Sequence, residues 1–444
     1  MRFAGGEKEG RQVSDGVRER EAVSGTNGGA SSYKWTMLGI VTLTYFLAQG
    51  VRQVYSALSP QIGLDFALSD TQVGFVASTF TLVFGVVLLF SGLAADFFRR
   101  KWMIVVGTCL FSLGILGVGF AGGLTALVLG YGIANAFGQA MLPPSNSSLI
   151  SQFHVETRGT AFAVYQAGIY AGSIICCVVA GYLADLGPGG WKTAFVLFGA
   201  IGVVWAVVAA LTLRDTQQEP QSLPLNTQHS SLNTASSKPT LREALSAFFS
   251  KRTAIVLMLA LGCYFYLLYG YKQWSPKLFM TTFGLSKTAA AFHSSFWFYL
   301  GAVAGVFLGG LASDRLKARR PGVRLEVEVV AILLAIPFLL LTAQAGTLVL
   351  MIAAVILFGF ATGVYDSNLY AALMEVVNPR YRAVATGIFG CGGCVFGAFG
   401  PGVMGWMNDH FTMHASFASL AGFALVGAIL ISFARFRYFN HDKV

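Results

Sequence analysis

Long apolar runs, divided by short clusters of charged or turn residues, constrain this sequence most. A helix of about 20 residues crosses the hydrocarbon core of a bilayer, and the runs are of that length. Apolar residues make up 55% and charged residues 11% of the 444, which excludes a soluble enzyme. No segment alternates as a membrane strand does, so the sequence predicts an all-α polytopic membrane protein. The twelve predicted spans lie near residues 35–61, 72–95, 102–121, 124–150, 160–185, 192–213, 253–281, 288–312, 327–344, 346–376, 383–406 and 414–434.

The basic residues are divided unequally between the two sides of these spans. If the N-terminus is cytoplasmic, 25 of the 30 lysines and arginines lie on the cytoplasmic side. Lys192, Lys277 and Lys287 lie on the outer side, and Arg52 and Lys272 lie within spans. Because positive residues collect in cytoplasmic loops, both termini are predicted to be cytoplasmic. We expect an integral protein of the plasma (inner) membrane.

Cysteine labelling tests this orientation. A cysteine at Ser222, between the sixth and seventh spans, should react with an impermeant reagent only from the cytoplasmic side. A cysteine at Ser69, between the first and second spans, should react only from outside. The opposite pattern would invert the predicted topology.

Polar segments divide the chain further. Residues 1–34 are rich in Gly and Ser and have no apolar core before a cleavage site, so they are predicted to be a disordered cytoplasmic tail. Residues 214–250 are a polar linker with an amphipathic stretch from Leu241 to Phe249. The predicted six-helix halves and the second cytoplasmic tail are residues 35–213, 251–434 and 435–444.

An internal repeat relates the two halves. Three segment pairs match: residues 50–53 (GVRQ) with 270–273 (GYKQ), 92–96 (GLAAD) with 310–314 (GLASD), and 145–146 (SN) with 367–368 (SN), at offsets of 220, 218 and 222 residues. Parallel repeats of six helices, related by an axis along the membrane normal, surround a site near the midplane in many transporters. The repeat therefore predicts two pseudo-symmetric halves around a central site.

The loop after the second span carries a family signature. Residues 92–101 resemble the pattern G-x-L-a-D-r-x-G-r-k of the major facilitator superfamily, keeping Gly92, Asp96, Arg100 and Lys101. The resemblance extends from about residue 35 to 434 and implies the major facilitator fold and transport by alternating access. It also implies that four charged residues at inner helix ends act in coupling or gating. These are Asp96, Arg100, Asp314 and Arg315.

Two cations at repeat-related positions predict an anion site. Arg52 lies in the first span and Lys272 at the equivalent position of the seventh, and a charge within a span is costly unless it has a function. Two cations facing each other across the repeat axis can bind one negative charge. The first span also resembles the anion:cation symporters and the organophosphate:phosphate antiporters, which have an Arg at the position of Arg52. An interhelical ion pair is the alternative role for Arg52.

Uncharged polar and aromatic residues of the same spans are predicted to contact the substrate. With Arg52 and Lys272, they complete the candidate binding set: Gln53, Tyr55, Gln139, Asn146, Tyr271, Gln273 and Asn368.

Asp366 is interpreted as the only carboxylate deep within a predicted span. A buried acid near a cation can carry a coupling proton, so Asp366 is assigned to coupling or gating. A hydrogen bond between packed helices is the alternative role.

Several classes of chemistry are not indicated. All six cysteines lie in apolar runs, and the C-x-x-C of Cys391 and Cys394 has no second pair, so neither a disulfide nor a metal site is predicted. No phosphate-binding G-x-x-x-x-G-K-[ST] is present, and we expect no cofactor and no enzymatic activity. The net charge of +10 is not gathered on a soluble domain, so nucleic acid is not expected as a partner.

These features predict a monomeric secondary transporter of a small organic anion, with a carboxylate or sugar acid favoured. Proton coupling is left open. The alternatives are an exporter of lipid-like or neutral substrates, in which acids neutralise Arg52 and Lys272, and a membrane sensor that carries no flux.

Overall fold

The structure is a computed structural model that describes residues 6–94, 98–214, 241–317 and 322–443. Among these residues eleven helices are long and apolar enough to cross a membrane, and the first helix contains the remaining predicted span. We label them α1 (Gly6–Asp65), α2 (Asp70–Ala94), α3 (Arg100–Gly119), α4 (Leu124–Phe153), α5 (Arg158–Asp185), α6 (Gly190–Thr212), α7 (Arg252–Phe283), α8 (Lys287–Lys317), α9 (Val323–Gln344), α10 (Leu348–Leu373), α11 (Val384–His410) and α12 (Met413–Asp442). The prediction of an all-α polytopic protein is confirmed.

The helices pack as two groups of six. In the first group α1 packs on α5 and α3 on α6, while in the second α7 packs on α11 and α8 on α10. The groups meet where α2 contacts α11, α5 contacts α8 and α1 contacts α7. The two cations of α1 and α7 therefore lie at the boundary between the halves.

Glycines on α8 allow the closest helix packing. A Cβ atom on Gly301 would collide with the carbonyl oxygen of Ile356, and one on Gly305 with that of Phe360. Without a hydrophobic driving force between helices in lipid, such close approach supplies van der Waals contact and brings backbone dipoles together. The four-residue glycine spacing of α8 thus seats it on α10.

The middle of α4 is a π-helical segment, Val128–Asn135. Its final segment, Leu142–Phe153, begins with two prolines near the first turn, where missing N–H donors cost least. Such wide turns often occur at functional sites, and Tyr131 lies in this one. Its hydroxyl donates to the carbonyl oxygen of Arg52 at 3.1 Å, which ties α4 to α1 beside the cation.

Both ends of the chain differ from the predicted tails. The structure begins α1 at Gly6, since an established helix extends one residue at a time without a new nucleus. α12 continues to Asp442, whose Oδ2 accepts bonds from the backbone N–H and Oγ1 of Thr253, each at 2.8 Å. Residues 435–442 are therefore helical because Asp442 satisfies the N-terminus of α7. The predicted amphipathic stretch Leu241–Phe249 is confirmed as a helix, and the linker from 215 to 240 lies outside the described residues.

Candidate functional site

A small cavity lies between the two halves at the level of the predicted cations. Its volume is about 30 Å³, room for about two water molecules. Arg52, Gln53, Lys272 and Gln273, four residues of the predicted binding set, line it together. The remaining lining residues are Ser56, Ala77, Phe80, Thr81, Tyr131, Tyr269 and Pro401.

Arg52 is surrounded by aromatic faces. Its Cζ lies 4.6 Å from the ring centre of Tyr269, 4.8 Å from Phe80 and 5.5 Å from Phe84. Such contacts contribute about 0.5 to 2 kcal/mol each and fix the guanidinium plane. No carboxylate lies within 4 Å of it in the part of the chain that the structure describes. Arg52 is thus desolvated and oriented, with its charge not neutralised by a contacting acid.

Lys272 is placed in the same way on the opposite half. Its Nζ lies 5.1 Å from the ring centre of Tyr299 and 5.3 Å from that of Phe298. The hydroxyl of Ser56 on α1 donates to the carbonyl oxygens of Lys272 at 2.5 Å and Gln273 at 2.8 Å. These bonds hold α1 against α7, and they fix the depth of one cation relative to the other.

Asp366 faces the boundary between the halves from α10. The hydroxyl of Tyr264 donates to its Oδ1 at 2.7 Å, and Lys272 and Tyr170 are its electrostatic neighbours. Asp366 is also exposed, as is Gln166 on the facing helix α5. A carboxylate on an accessible wall beside a cation can exchange protons with water and compete with an anion for that cation.

We call the end of the bundle where α1 ends and α2 begins the outer end, following the predicted orientation, and the opposite end the inner end. Asp366 and the 42%-exposed Tyr370 lie on the inner side of the cation level, because α10 runs from the outer to the inner end. The space between the halves is therefore accessible from the inner end.

Other predicted binding residues of the first half lie in helix packing. Gln139 Nε2 donates to the carbonyl oxygen of Ala48 at 2.8 Å, and Asn146 Nδ2 donates to the hydroxyl of Tyr165 at 3.2 Å. Tyr55 is fully buried and donates to a backbone carbonyl of α2 at 3.0 Å. None of the three lines the cavity, so their contact with substrate stays a prediction.

Two predicted residues of the second half are placed similarly. Tyr271 packs among aromatic rings, with centroids 4.7 Å from Phe358 and 5.5 Å from Phe298. Asn368 Nδ2 donates to the carbonyl oxygen of Val364 at 3.2 Å, which is a bond within its own helix. Both lie away from the cavity lining.

The predicted gating residues lie at the inner end. Asp314 forms an ion pair with Arg324, with Oδ1 and Nη2 2.8 Å apart, and Arg315 is in the last turn of α8. Arg100 begins α3. Asp96 lies outside the described residues.

The structure adds residues that the sequence did not indicate. Tyr131 and Tyr269 form much of the wall around Arg52, and aromatic side chains every three to four residues in a cavity helix were the available signal. Glu328 on α9 is 2% exposed with Oε1 unpartnered, so Asp366 is not the only carboxylate deep in a span. Glu328 lies where a predicted span begins, and its depth was therefore misjudged.

Comparison with known proteins identifies the family. The model of the Major Facilitator Superfamily matches residues 41–343 and 322–441. The hexuronate transporter of Bacillus subtilis (strain 168) is 25% identical over 88% of this chain and 93% of its own length. An MFS-type efflux pump of Mycolicibacterium smegmatis is 28% identical over 91% and 93%. A solved bacterial homologue of the human lysosomal transporter Spinster superposes with a TM-score of 0.80 and 21% identity, covering 93% of this chain and 98% of that one. The chain belongs to the Major Facilitator Superfamily of transporters.

Proposed function

We propose that this protein carries a small organic anion across the membrane by alternating access, with Arg52 and Lys272 binding the negative charge. The observation that carries the proposal is that both cations, from repeat-related positions of the two halves, line one cavity. No carboxylate lies within 4 Å of either among the residues described. An anion between them would be bound by both halves at once.

Electrostatics favours an anionic substrate over a neutral one. A cation taken out of water needs a partner, and aromatic faces replace only part of its hydration. A bound anion supplies charge-assisted hydrogen bonds to Arg52 and Lys272. A neutral substrate would leave both charges desolvated in the occluded state, so its binding would be opposed.

The substrate class follows from the remaining polar groups. The planar guanidinium of Arg52 matches a carboxylate through two parallel bonds. Gln53 and Gln273 line the same cavity, and Gln273 Nε2 is buried with no hydrogen-bond partner in the described structure, so it is available for a hydroxyl. A carboxylate or sugar acid satisfies both features, and the relative named a hexuronate transporter agrees with this choice.

An exporter of lipid-like or neutral substrates is the second candidate. The observation in its favour is that Lys272 is an electrostatic neighbour of Asp366, which would neutralise one of the two cations. The relative named an efflux pump is also in its favour. In that case Arg52 still lacks a contacting acid, which is why we place the anion transporter first.

The cellular setting is part of the proposal. We place the protein as a monomer in the plasma (inner) membrane with both termini in the cytoplasm, and with protons as the candidate coupling ion. The charge distribution of the loops supports this orientation.

A ligand screen on the purified protein tests the function. An anion that binds the folded state stabilises it by about 2.7 kcal/mol at 100 times its Kd, so thermal unfolding should shift upward with hexuronates or related carboxylates. The neutral sugar of the same size, without the carboxylate, is the matched control and should give no shift.

Flux separates a transporter from a sensor. An anion found by the screen should also exchange across proteoliposomes preloaded with the same compound. Stabilisation by neutral or lipid-like compounds alone would support the exporter instead. Binding without any exchange would identify a sensor.

A further inference from the structure

At the outer end, an aspartate at the end of one helix binds the N-terminus of a helix in the opposite half, and this happens twice. α5 ends with Gly181-Tyr-Leu-Ala-Asp185 and α11 with Gly405-Trp-Met-Asn-Asp409, at an offset of 224 residues. The two aspartates therefore occupy repeat-related positions that the other internal matches did not include.

Asp409 binds the first turn of α2. Its Oδ1 accepts the backbone N–H of Asp70 at 2.9 Å, and its Oδ2 accepts the backbone N–H of Thr71 at 2.8 Å and the Thr71 hydroxyl at 2.6 Å. Three donors of the first half thus converge on one carboxylate of the second half.

Asp185 binds the first turn of α8 in the same pattern. Its Oδ1 accepts the backbone N–H of Lys287 at 3.1 Å, and its Oδ2 accepts the backbone N–H of Thr288 at 2.9 Å and the Thr288 hydroxyl at 2.6 Å. Here the carboxylate belongs to the first half and the donors to the second. The two contacts are therefore related by the pseudo-symmetry of the fold.

A helix N-terminus favours this partner for two reasons. Its first N–H groups have no acceptor within the helix, and the helix dipole places positive potential there. Ser69 and Ser286 accept the next N–H groups, those of Gln72 at 3.3 Å and Ala289 at 3.2 Å. The aspartates from the opposite half complete caps that local serines leave unfinished.

Glycine makes the short side chains long enough. A Cβ on Gly405 would collide with the carbonyl oxygen of Asp70, and one on Gly181 would lie 2.8 Å from that of Lys287. Each glycine, one turn before its aspartate, lets the crossing helices touch at the backbone. Each carboxylate can then reach the facing N–H groups directly.

We propose that Asp185 and Asp409 are paired latches that hold the outer end closed, and that both must release for the cavity to open outward. Each joins opposite halves, and the cavity lies between these halves on the inner side of the latches. The Lys277–Asp70 ion pair, with Nζ and Oδ1 2.5 Å apart, and the bond from Lys287 Nζ to the carbonyl oxygen of Ala184, at 2.8 Å, reinforce them. The inference rests on alternating access and is independent of the substrate.

Distance measurements between spin labels test the latches. Leu64 on α1 and Val349 on α10 are 83% and 78% exposed at the outer end of opposite halves, so labels there report outward opening. In a cysteine-free background, Asp185→Asn and Asp409→Asn should each raise the ratio of long to short distances about tenfold. The double variant should raise it about a hundredfold, because well-separated contacts act additively.

Asp65→Asn is the matched control. Asp65 is also an outer-end aspartate, but it accepts a bond from Trp191 Nε1 at 2.5 Å within its own half. Its replacement should leave the distance distribution unchanged. Thr71→Val and Thr288→Val each remove one of three bonds, should cause smaller shifts in the same direction, and serve if an aspartate variant does not fold. Distributions in the latch variants that match those of Asp65→Asn would overturn the proposal.

Discussion

Replacing Arg52 with alanine should lower the affinity for the transported anion about ten- to a hundredfold. A charge-assisted hydrogen bond contributes about 1.5 to 3 kcal/mol, which corresponds to that range in Kd. Arg52→Lys should recover only part of the loss, because the ammonium keeps the charge but not the planar fork. Lys272→Arg should have a smaller effect, since the charge remains. Titration calorimetry with an anion found by the screen measures all three.

Lys192→Ala is the matched control for this series. Lys192 Nζ also lies over aromatic rings, 5.4 Å from that of Trp191 and 5.7 Å from that of Phe66, but it does not line the cavity. Its removal should leave the Kd unchanged. If Arg52 instead stabilises the fold through an ion pair, Arg52→Ala should lower the melting temperature without ligand and keep wild-type affinity. That combination would reject the anion site.

The sequence predicts the parts of the fold that depend on composition and repetition. Each apolar run of about 20 residues has few alternatives to a helix in lipid, so the spans were predictable. The repeat-related positions of Arg52 and Lys272 placed both residues at one cavity, because symmetry-related positions on the first helix of each half meet at the axis. Symmetry therefore carried more information about the site than residue type did.

The rotation of each helix could not be predicted in the same way. Gln139 and Asn146 are polar residues in a cavity helix, yet both are turned into the first half. In a membrane protein a polar side chain can satisfy itself against a neighbouring helix as well as against substrate, so polarity alone does not indicate the cavity. The π-helical segment of α4 also changes the angular position of every residue after Tyr131.

The outer latches were not predicted for a different reason. Asp185 and Asp409 lie at helix ends, where a carboxylate normally faces water. What marks them is the pairing of Gly-x-x-x-Asp with a Ser-x-Thr helix start in the other half, a relation between segments that are more than a hundred residues apart. Such a relation becomes visible only when the helices are placed side by side.

Asp366→Asn should abolish accumulation driven by a pH gradient and leave exchange of the anion intact. When Asp366 is ionised it competes with the substrate for Lys272, its electrostatic neighbour, and when protonated it releases that cation. Proton and anion binding then favour each other, which is what symport requires. Asparagine imitates the protonated state, and its side-chain oxygen can still accept the bond from the Tyr264 hydroxyl that Asp366 accepts at 2.7 Å. The variant should therefore bind the anion with little dependence on pH, and carry it without a proton.

Proteoliposomes with an imposed pH gradient measure the first effect, and preloaded vesicles at equal pH measure the second. Glu326→Gln is the matched control, because Glu326 is a carboxylate of the same half that pairs with Arg435 at 2.9 Å instead of Lys272. It should leave both activities unchanged. If Asp366→Asn still drives uphill uptake, Asp366 serves helix packing through Tyr264, and the coupling proton binds elsewhere. Loss of exchange together with accumulation would instead place Asp366 in substrate binding, since exchange requires no net movement of protons.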